Sequence, residues 1–229
     1  MTKGNPPASE DLPEPLPDSL LGLCTFCLDS LAADGAAIVV VVGTVPQRVM
    51  ASAGNVGAQL PSIEFELGEG PSFDCVKMGS IIEVTDLANP RHTKWPLFTE
   101  RALASGVSSL TAIPLAKGMN QLGALEIFGT EPRSMTRQNI IDGIKIAQRI
   151  SSILLELPAE AIISTQARNW MAPDQDRIRI HQASGMVAYM LDSTIEEALD
   201  RMRAHSFSHN LSLIEVANLI VSRDLVLEP

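Results

Sequence analysis

The chain has 229 residues, a formal net charge of −10 and a sequence pI near 4.8. An acidic balance of that size argues against broad, non-specific attraction to nucleic acid or to membrane surfaces, and the longest apolar run, Ala36 to Val42, is far too short to span a bilayer. The length suits two compact domains, and a hydrophobic content of 45% is enough to give each a core.

Met1 to Pro17 holds five prolines among small and acidic residues and reads as a disordered arm. It lacks the basic start and apolar run of a secretory signal, and the three cysteines are expected to stay reduced in a cytoplasm. Asp18 to Ala33 has helical spacing, with Leu20, Leu23, Cys24, Cys27, Leu28 and Leu31 on one side. Cys24-x-x-Cys27 has the spacing of a metal or redox pair. Both cysteines sit on or beside the apolar stripe and no second pair completes a site, so buried packing is expected instead.

Ala37–Val42, Arg48–Ala53 and Ile63–Leu67 carry strand signals. Gly68-Glu69-Gly70-Pro71 reads as a loop that opens a short helix running to Met78. A brief strand at Ile81–Val84, a polar loop from Asp86 to Trp95 and a helix over Pro96–Ser105 follow. Ser109–Pro114 and Leu122–Phe128 pair as a hairpin. Thr136 caps a long helix to Leu157, with Ile140, Ile141, Ile144, Ala147, Ile150, Ile153 and Leu154 at three-four spacing. Hairpin strands mixed with helices make an α+β domain over 18–157, and a linker over 158–173 follows. The long helix has two readings, as a cover for the sheet and as a dimer seam.

From residue 174 the pattern becomes wholly helical. Helices are expected over Asp174–Leu191, Thr194–His209 and Leu213–Asp224, with capping boxes at Ser193/Glu196 and Ser212/Glu215 and a left-handed stop at Asn210. Ile180, Ala183, Val187, Met190 and Leu191 form one apolar stripe, Ile195, Ala198, Leu199 and Met202 a second, and Val216, Ala217 and Ile220 a third. Opposite the first stripe lie His181, Gln182, Gly185 and Tyr189, flanked by Arg179 and, on the other side, by Arg177 and Ser184. Such a face can stack a base on the chain's only tyrosine and hold phosphates with its arginines. The same face can also pack on a helix or a partner protein. His205 and His209 have a chelating spacing, but no glutamate stands between them in the zincin manner and no third ligand is near in sequence, so no metal is expected.

Residues Gln182 to Ala217 resemble an ANTAR domain, the three-helix RNA-binding output module of bacterial transcription antiterminators. The likeness rests on Ala183-x-Gly185, Glu197-Ala198, the basic turn Arg201/Arg203 and Asn210-x-x-Leu213-x-x-Val216-Ala217. Ser184 departs from it, standing where the family often has a charged or longer polar residue. Gly68 to Gly129 is similar to the GAF domains found ahead of ANTAR modules in actinobacterial regulators, through Gly68-Glu69-Gly70-Pro71, Val84-x-Asp86-Leu87, Trp95-Pro96-x-Phe98, Ile113-Pro114-Leu115 and Leu122-Gly123-Ala124-Leu125. The resemblances imply a GAF-like antiparallel sheet flanked by helices, followed over 174–229 by a three-helix ANTAR module.

They further imply a cytoplasmic homodimer that senses a small-molecule or protein effector and binds paired RNA hairpin loops in transcript leaders, with no membrane partner. Arg177, Arg179, His181, Gln182, Ser184, Gly185, Tyr189, Arg201 and Arg203 are the expected RNA contacts. Phe73, Trp95, Phe98 and Phe128 would wall the effector pocket, with Asp86, Thr111 and Glu126 as polar anchors. No cofactor and no catalysis are expected. Gly68-Glu69-Gly70-Pro71 lacks the Lys-Ser/Thr of a phosphate loop, and Pro71 and Ser72 stand where methionine sulfoxide reductases of the GAF family carry loop cysteines. The module from Asp174 to Pro229 carries five arginines against nine acidic residues, so RNA recognition must use local basic groups and loop shape. A protein-interaction module whose C-terminal helices dock a protein partner is the alternative. DNA reading by the third helix would have only Asn218, Ser222 and Arg223 to use.

Overall fold

The computed structural model describes residues 12, 15–42, 45–92, 94–158 and 175–228. Nearly all of the expected arm and of the expected linker lies outside them. The chain forms two compact units, one built on a sheet and ending at Pro158, the other formed by the C-terminal helices. No helix among the described residues is long and apolar enough to cross a membrane.

The sheet unit runs α1 (Leu20–Ser30), β1 (Gly35–Val42), β2 (Val45–Gly54), α2 (Leu60–Leu67), α3 (Pro71–Met78), β3 (Ile82–Val84), α4 (Pro96–Ala104), β4 (Ser109–Lys117), β5 (Asn120–Gly129) and α5 (Arg137–Glu156). The five strands are ordered β2-β1-β5-β4-β3 and every neighbouring pair is antiparallel. Register aligns Ala37, Glu126, Ala112 and Ile82 across four strands. Side chains alternate along a strand, so Glu126 and Phe128 face one side of the sheet while Leu125, Ile127 and Ile113 face the other.

The second side is covered by α5, whose Ile146, Ala147, Ile150 and Leu154 are buried. A side chain on Gly143 would run into Ile113, which is why the helix can lie so close to the sheet. The same helix leaves Ile141, Ile144 and Leu155 exposed, so it covers the sheet and also presents an apolar ridge. Cys24 and Cys27 are fully buried in α1 and Cys75 in α3, all as free thiols. Burial raises the pKa of each thiol, to about 12 for Cys27 and Cys75, which leaves them inert packing groups.

One expectation fails here. Ile63–Leu67 alternates apolar and acidic residues as a half-buried strand would, yet it forms the second half of α2. Pro61 suits the start of a helix, and Ile63 closes a helical turn on the Gln59 carbonyl. The helix buries Glu64 beside Ile63 and Phe65, and there Glu64 finds a specific donor, described below.

The helical unit comprises α6 (Gln175–Leu191), α7 (Ile195–His209) and α8 (Leu213–Ser222). Ile180, Ala183, Val187, Ala198, Leu199, Met202, Val216, Ala217 and Ile220 are all buried, so the three stripes bury one another. Met190 and Ile195, at the stripe ends, stay largely exposed. The expected box at Ser212/Glu215 is present, and Asn210 ends α7 at φ 54°. The box expected at Ser193/Glu196 forms one residue later, between Thr194 and Glu197. Asp192, at φ 48°, makes the left-handed turn after α6, and only the next extended position but one, Thr194, can accept the Glu197 N–H, at 3.2 Å.

Candidate functional site

The exposed side of α6 is built by helical spacing. Ile178, Gln182, Gly185 and Tyr189 recur at i, i+4, i+7 and i+11 and so share a face. Tyr189 is 90% exposed, a placement that only an interaction or tolerance of solvent explains for a ring of that size. A side chain added at Gly185 would meet no described atom within 4 Å. Arg179 is held in place: its Nε donates to Asn218 Oδ1 on α8 at 3.0 Å, and its Nη1 lies 3.5 Å from Gln182 Oε1. A guanidinium braced from two sides presents its remaining donors in a fixed fork, the geometry that suits phosphate.

The other expected RNA contacts are placed differently. His181 and Arg177 are half-buried on the flank of α6, and burial, then the neighbouring Arg177 charge, lowers the His181 pKa, so His181 is neutral at pH 7. Ser184 has no exposed surface, and its hydroxyl donates to the His181 carbonyl at 3.0 Å. A residue so enclosed cannot touch a ligand on the exposed face. Arg201 donates to the Glu228 carbonyl at 3.2 Å and Arg203 to Asp200 at 2.9 Å. Arg179, Gln182, Gly185 and Tyr189 therefore form one patch on α6; on α7, Arg203 is buried against Asp200, whereas Arg201 is exposed with one donor on the Glu228 carbonyl. Asn218, the residue that orients Arg179, was legible in the sequence only as one of the few polar side chains of the third helix.

In the sheet unit, the expected pocket residues separate in an informative way. Phe98 and Phe128 are fully buried, and Trp95 meets Phe98 edge-to-face at 6.4 Å. Glu126 points to the same side of the sheet as Phe128. Thr111 does not: it pairs with Ile127, one step out of phase with Glu126, and so faces the α5 side. Asp86 accepts from the Ala88 N–H at 3.0 Å, closing a tight turn in its own loop. Phe73 is half-buried on α3.

The polar centre of this side joins the expected Glu126 to Glu64, which sequence reasoning missed. Glu64 accepts from the Ser72 N–H at 3.3 Å and from the Ser72 hydroxyl, and it lies beside Glu126. Both carboxyls are fully buried. Burial raises the Glu64 pKa, and the Glu126 charge raises it further; burial likewise raises Glu126. Two buried carboxyls this close cannot both ionise cheaply, so the pair keeps a proton well above the ordinary carboxylate range. Neither Glu126 oxygen has a hydrogen-bond partner among the described residues. Glu69, two residues before Pro71, accepts from the Leu97 and Phe98 N–H groups at 3.0 and 3.1 Å and caps α4. Trp95, in the N-cap position of that helix, offers no side-chain cap of its own.

No curated protein matches the chain. Solved structures are similar over part of the chain. The GAF domain of a phosphoenolpyruvate-protein phosphotransferase from Coxiella burnetii is similar at 17% identity and a TM-score of 0.48, covering 62% of this chain and 84% of that one. The corresponding GAF domain from Acinetobacter is similar at 18% and 0.45, covering 60% and 81%. The type II free methionine-R-sulfoxide reductase of Thermoplasma acidophilum is similar at 14% and 0.44, covering 59% and 89%. Residues 174–221 match the ANTAR domain family, and these are the residues whose three mutually buried helices carry the Arg179–Tyr189 patch: the C-terminal unit of the chain is an ANTAR domain.

Proposed function

We propose that the protein is an RNA-binding regulator of transcription antitermination, in which the ANTAR domain grips hairpin loops and the sheet domain senses an effector. The observation that carries this reading is the α6 patch, a 90%-exposed tyrosine in line with a braced arginine and a glutamine on a domain of the ANTAR family. In an unstacked RNA loop, Tyr189 stacks on a base, Arg179 holds a phosphate, and Gln182 reads a base edge or a 2′-hydroxyl. Loop recognition of this kind needs few positive charges, which reconciles RNA binding with an acidic chain.

The working unit is a cytoplasmic homodimer. The exposed Ile141, Ile144 and Leu155 of α5 supply its seam, and two ANTAR domains then engage two neighbouring hairpins in a transcript leader. Holding those hairpins prevents a competing terminator from forming. The functional division runs at 18–157 for the sensor and 174–229 for the RNA-binding module. The effector is a small molecule or a protein that acts on the Glu126–Phe128 side of the sheet, and no catalytic step is assigned to the chain.

The test is fluorescence anisotropy of an RNA carrying two short hairpins, across a salt series, with Tyr189→Ala and Arg179→Ala beside the wild type. Salt-sensitive binding that is lost in both variants supports the reading. Binding that is absent at low salt from a folded protein, or indifferent to both substitutions, removes it and favours docking of a protein partner by the same helices.

A further inference from the structure

Beside the α6 patch lies a hollow that the sequence did not suggest. It is lined by Met186, Tyr189, Met190, Ile220, Arg223 and the tail residues Leu225 and Val226, with a volume of about 320 Å³. Met186 and Tyr189 belong to α6, Ile220 to α8, and the tail closes the third side. The walls are apolar apart from Tyr189 and the guanidinium stem of Arg223. Arg223 is the C-cap of α8 at φ 68°, its N–H bonded to the Ile220 and Leu219 carbonyls, so its backbone position is fixed.

The lining suits a small apolar occupant that carries negative charge at its edge, where Arg223 stands. The volume sits at the low end of the range for small-molecule sites, too little for a partner helix, which needs a groove that takes anchors over several turns. An apolar slot with a tyrosine on one wall and an arginine at its rim matches an unstacked base and its phosphate. Methionine lines two positions, and its polarisable thioether packs well against an aromatic ring. The slot is continuous with the α6 patch through Tyr189, which contributes to both.

Gly185 adds a separate observation. A glycine in mid-helix lowers helix stability relative to alanine, and nothing described in this chain approaches the place its side chain would occupy. The fold does not require glycine there. A bare stretch of helix backbone, one turn before Tyr189, is what a closely approaching polymer backbone needs.

We propose that the hollow takes one unstacked nucleobase of the bound RNA loop, stacked on Tyr189 with Arg223 at its phosphate, and that the RNA strand crosses α6 at Gly185. This inference rests on the RNA-binding reading and adds a base-binding subsite to it. The experiment uses the full chain and a hairpin RNA with 2-aminopurine placed at each loop position in turn. One position should change its fluorescence on binding. Val226→Glu, at an exposed rim residue, should weaken binding about tenfold or more and abolish that change, while Val226→Leu retains both and the thermal melt is unaltered. Gly185→Ala should weaken RNA binding without loss of fold.

Wild-type affinity in Val226→Glu, alongside lost binding in Tyr189→Ala, would overturn the subsite and leave the RNA reading intact. Loss of self-association in Val226→Glu, measured by light scattering with RNA affinity unchanged, would assign the hollow to a protein contact and overturn it too. A wild type that binds no hairpin would remove the RNA reading and the subsite together.

Discussion

Replacing Glu126 with glutamine should stabilise the protein at neutral and alkaline pH, and the reason can be worked from the buried pair. Glu64 and Glu126 are both fully buried, and the groups acting on them are Ser72, Asp74 and each other, with no cation among these. The pKa of each is raised, so the folded protein holds protons that the unfolded chain releases near the ordinary carboxyl value of about 4.3. By linkage, their contribution to stability is full below that value and is lost as pH rises through the raised folded values. A tenfold difference in proton affinity between the folded and unfolded chain corresponds to about 1.4 kcal/mol.

The Glu126→Gln amide keeps the shape, removes one titrating site and can donate to Glu64. Removing a buried carboxylate whose folded pKa is raised by about one to three pH units is worth roughly 1–4 kcal/mol above that pKa. At roughly 2–4 °C per kcal/mol for domains of this size, the sheet-domain melting transition at pH 8 should rise by about 2–16 °C. Its decline between pH 5 and pH 8 should flatten. Differential scanning calorimetry at several pH values reads both. A variant that melts lower than the wild type with an undiminished pH slope would refute the argument, because it would mean that Glu126 already has a favourable partner.

Thr194→Ala removes one side of a capping box and should cost about 1 kcal/mol of ANTAR-domain stability, visible in chemical denaturation of the helical signal. The partner carboxyls Glu197 and Glu215 have pKa values lowered first by their backbone hydrogen bonds to Thr194 and Ser212. Their capping contribution is therefore present above the ordinary glutamate range and fades as pH falls through the lowered values, a helicity loss that circular dichroism at acid pH detects. Leu199→Ala, at a fully buried position, should destabilise the helical unit by about 2–5 kcal/mol. Gly185→Ala should instead raise its stability by about 0.5–1 kcal/mol, measured by urea unfolding in the absence of RNA.

The helical module was the most legible part of the chain because its signals are local. Capping residues, a left-handed asparagine and three apolar stripes each act within a turn or two, and only the box at Thr194 was misplaced, by one residue. Ile63–Leu67 misled because five residues that alternate apolar and acidic fit a strand as well as a helix. What decided it was the burial of Glu64 against Ser72, eight residues away. The Glu126 side of the sheet was half legible: the burial of Phe98, Phe128 and Glu126 follows from strand and helix pattern, but which side Thr111 faces depends on register. Glu64 could not be identified as a partner of Glu126 because the two meet only once α2 folds onto the sheet. On α6, the stripe from Gln182 to Tyr189 was visible from spacing. The brace from Asn218 and the hollow behind Tyr189 were not, since both need α8 and the tail brought alongside.

Glu69 stands between two glycines, Gly68 at φ 71° and Gly70 at φ 148°. Gly70 lies so close against the Glu64 side chain that a methyl group there would collide with it, while Glu69 itself holds the first turn of α4. The turn therefore works as a rocker with one arm on the buried carboxyl pair and the other on a helix of the same domain. Glycine leaves the pivot free to rotate, and the tight seat of Gly70 leaves no slack on the carboxyl side. The buried carboxyl pair and the cap of α4 are thus joined through a single two-residue step of backbone.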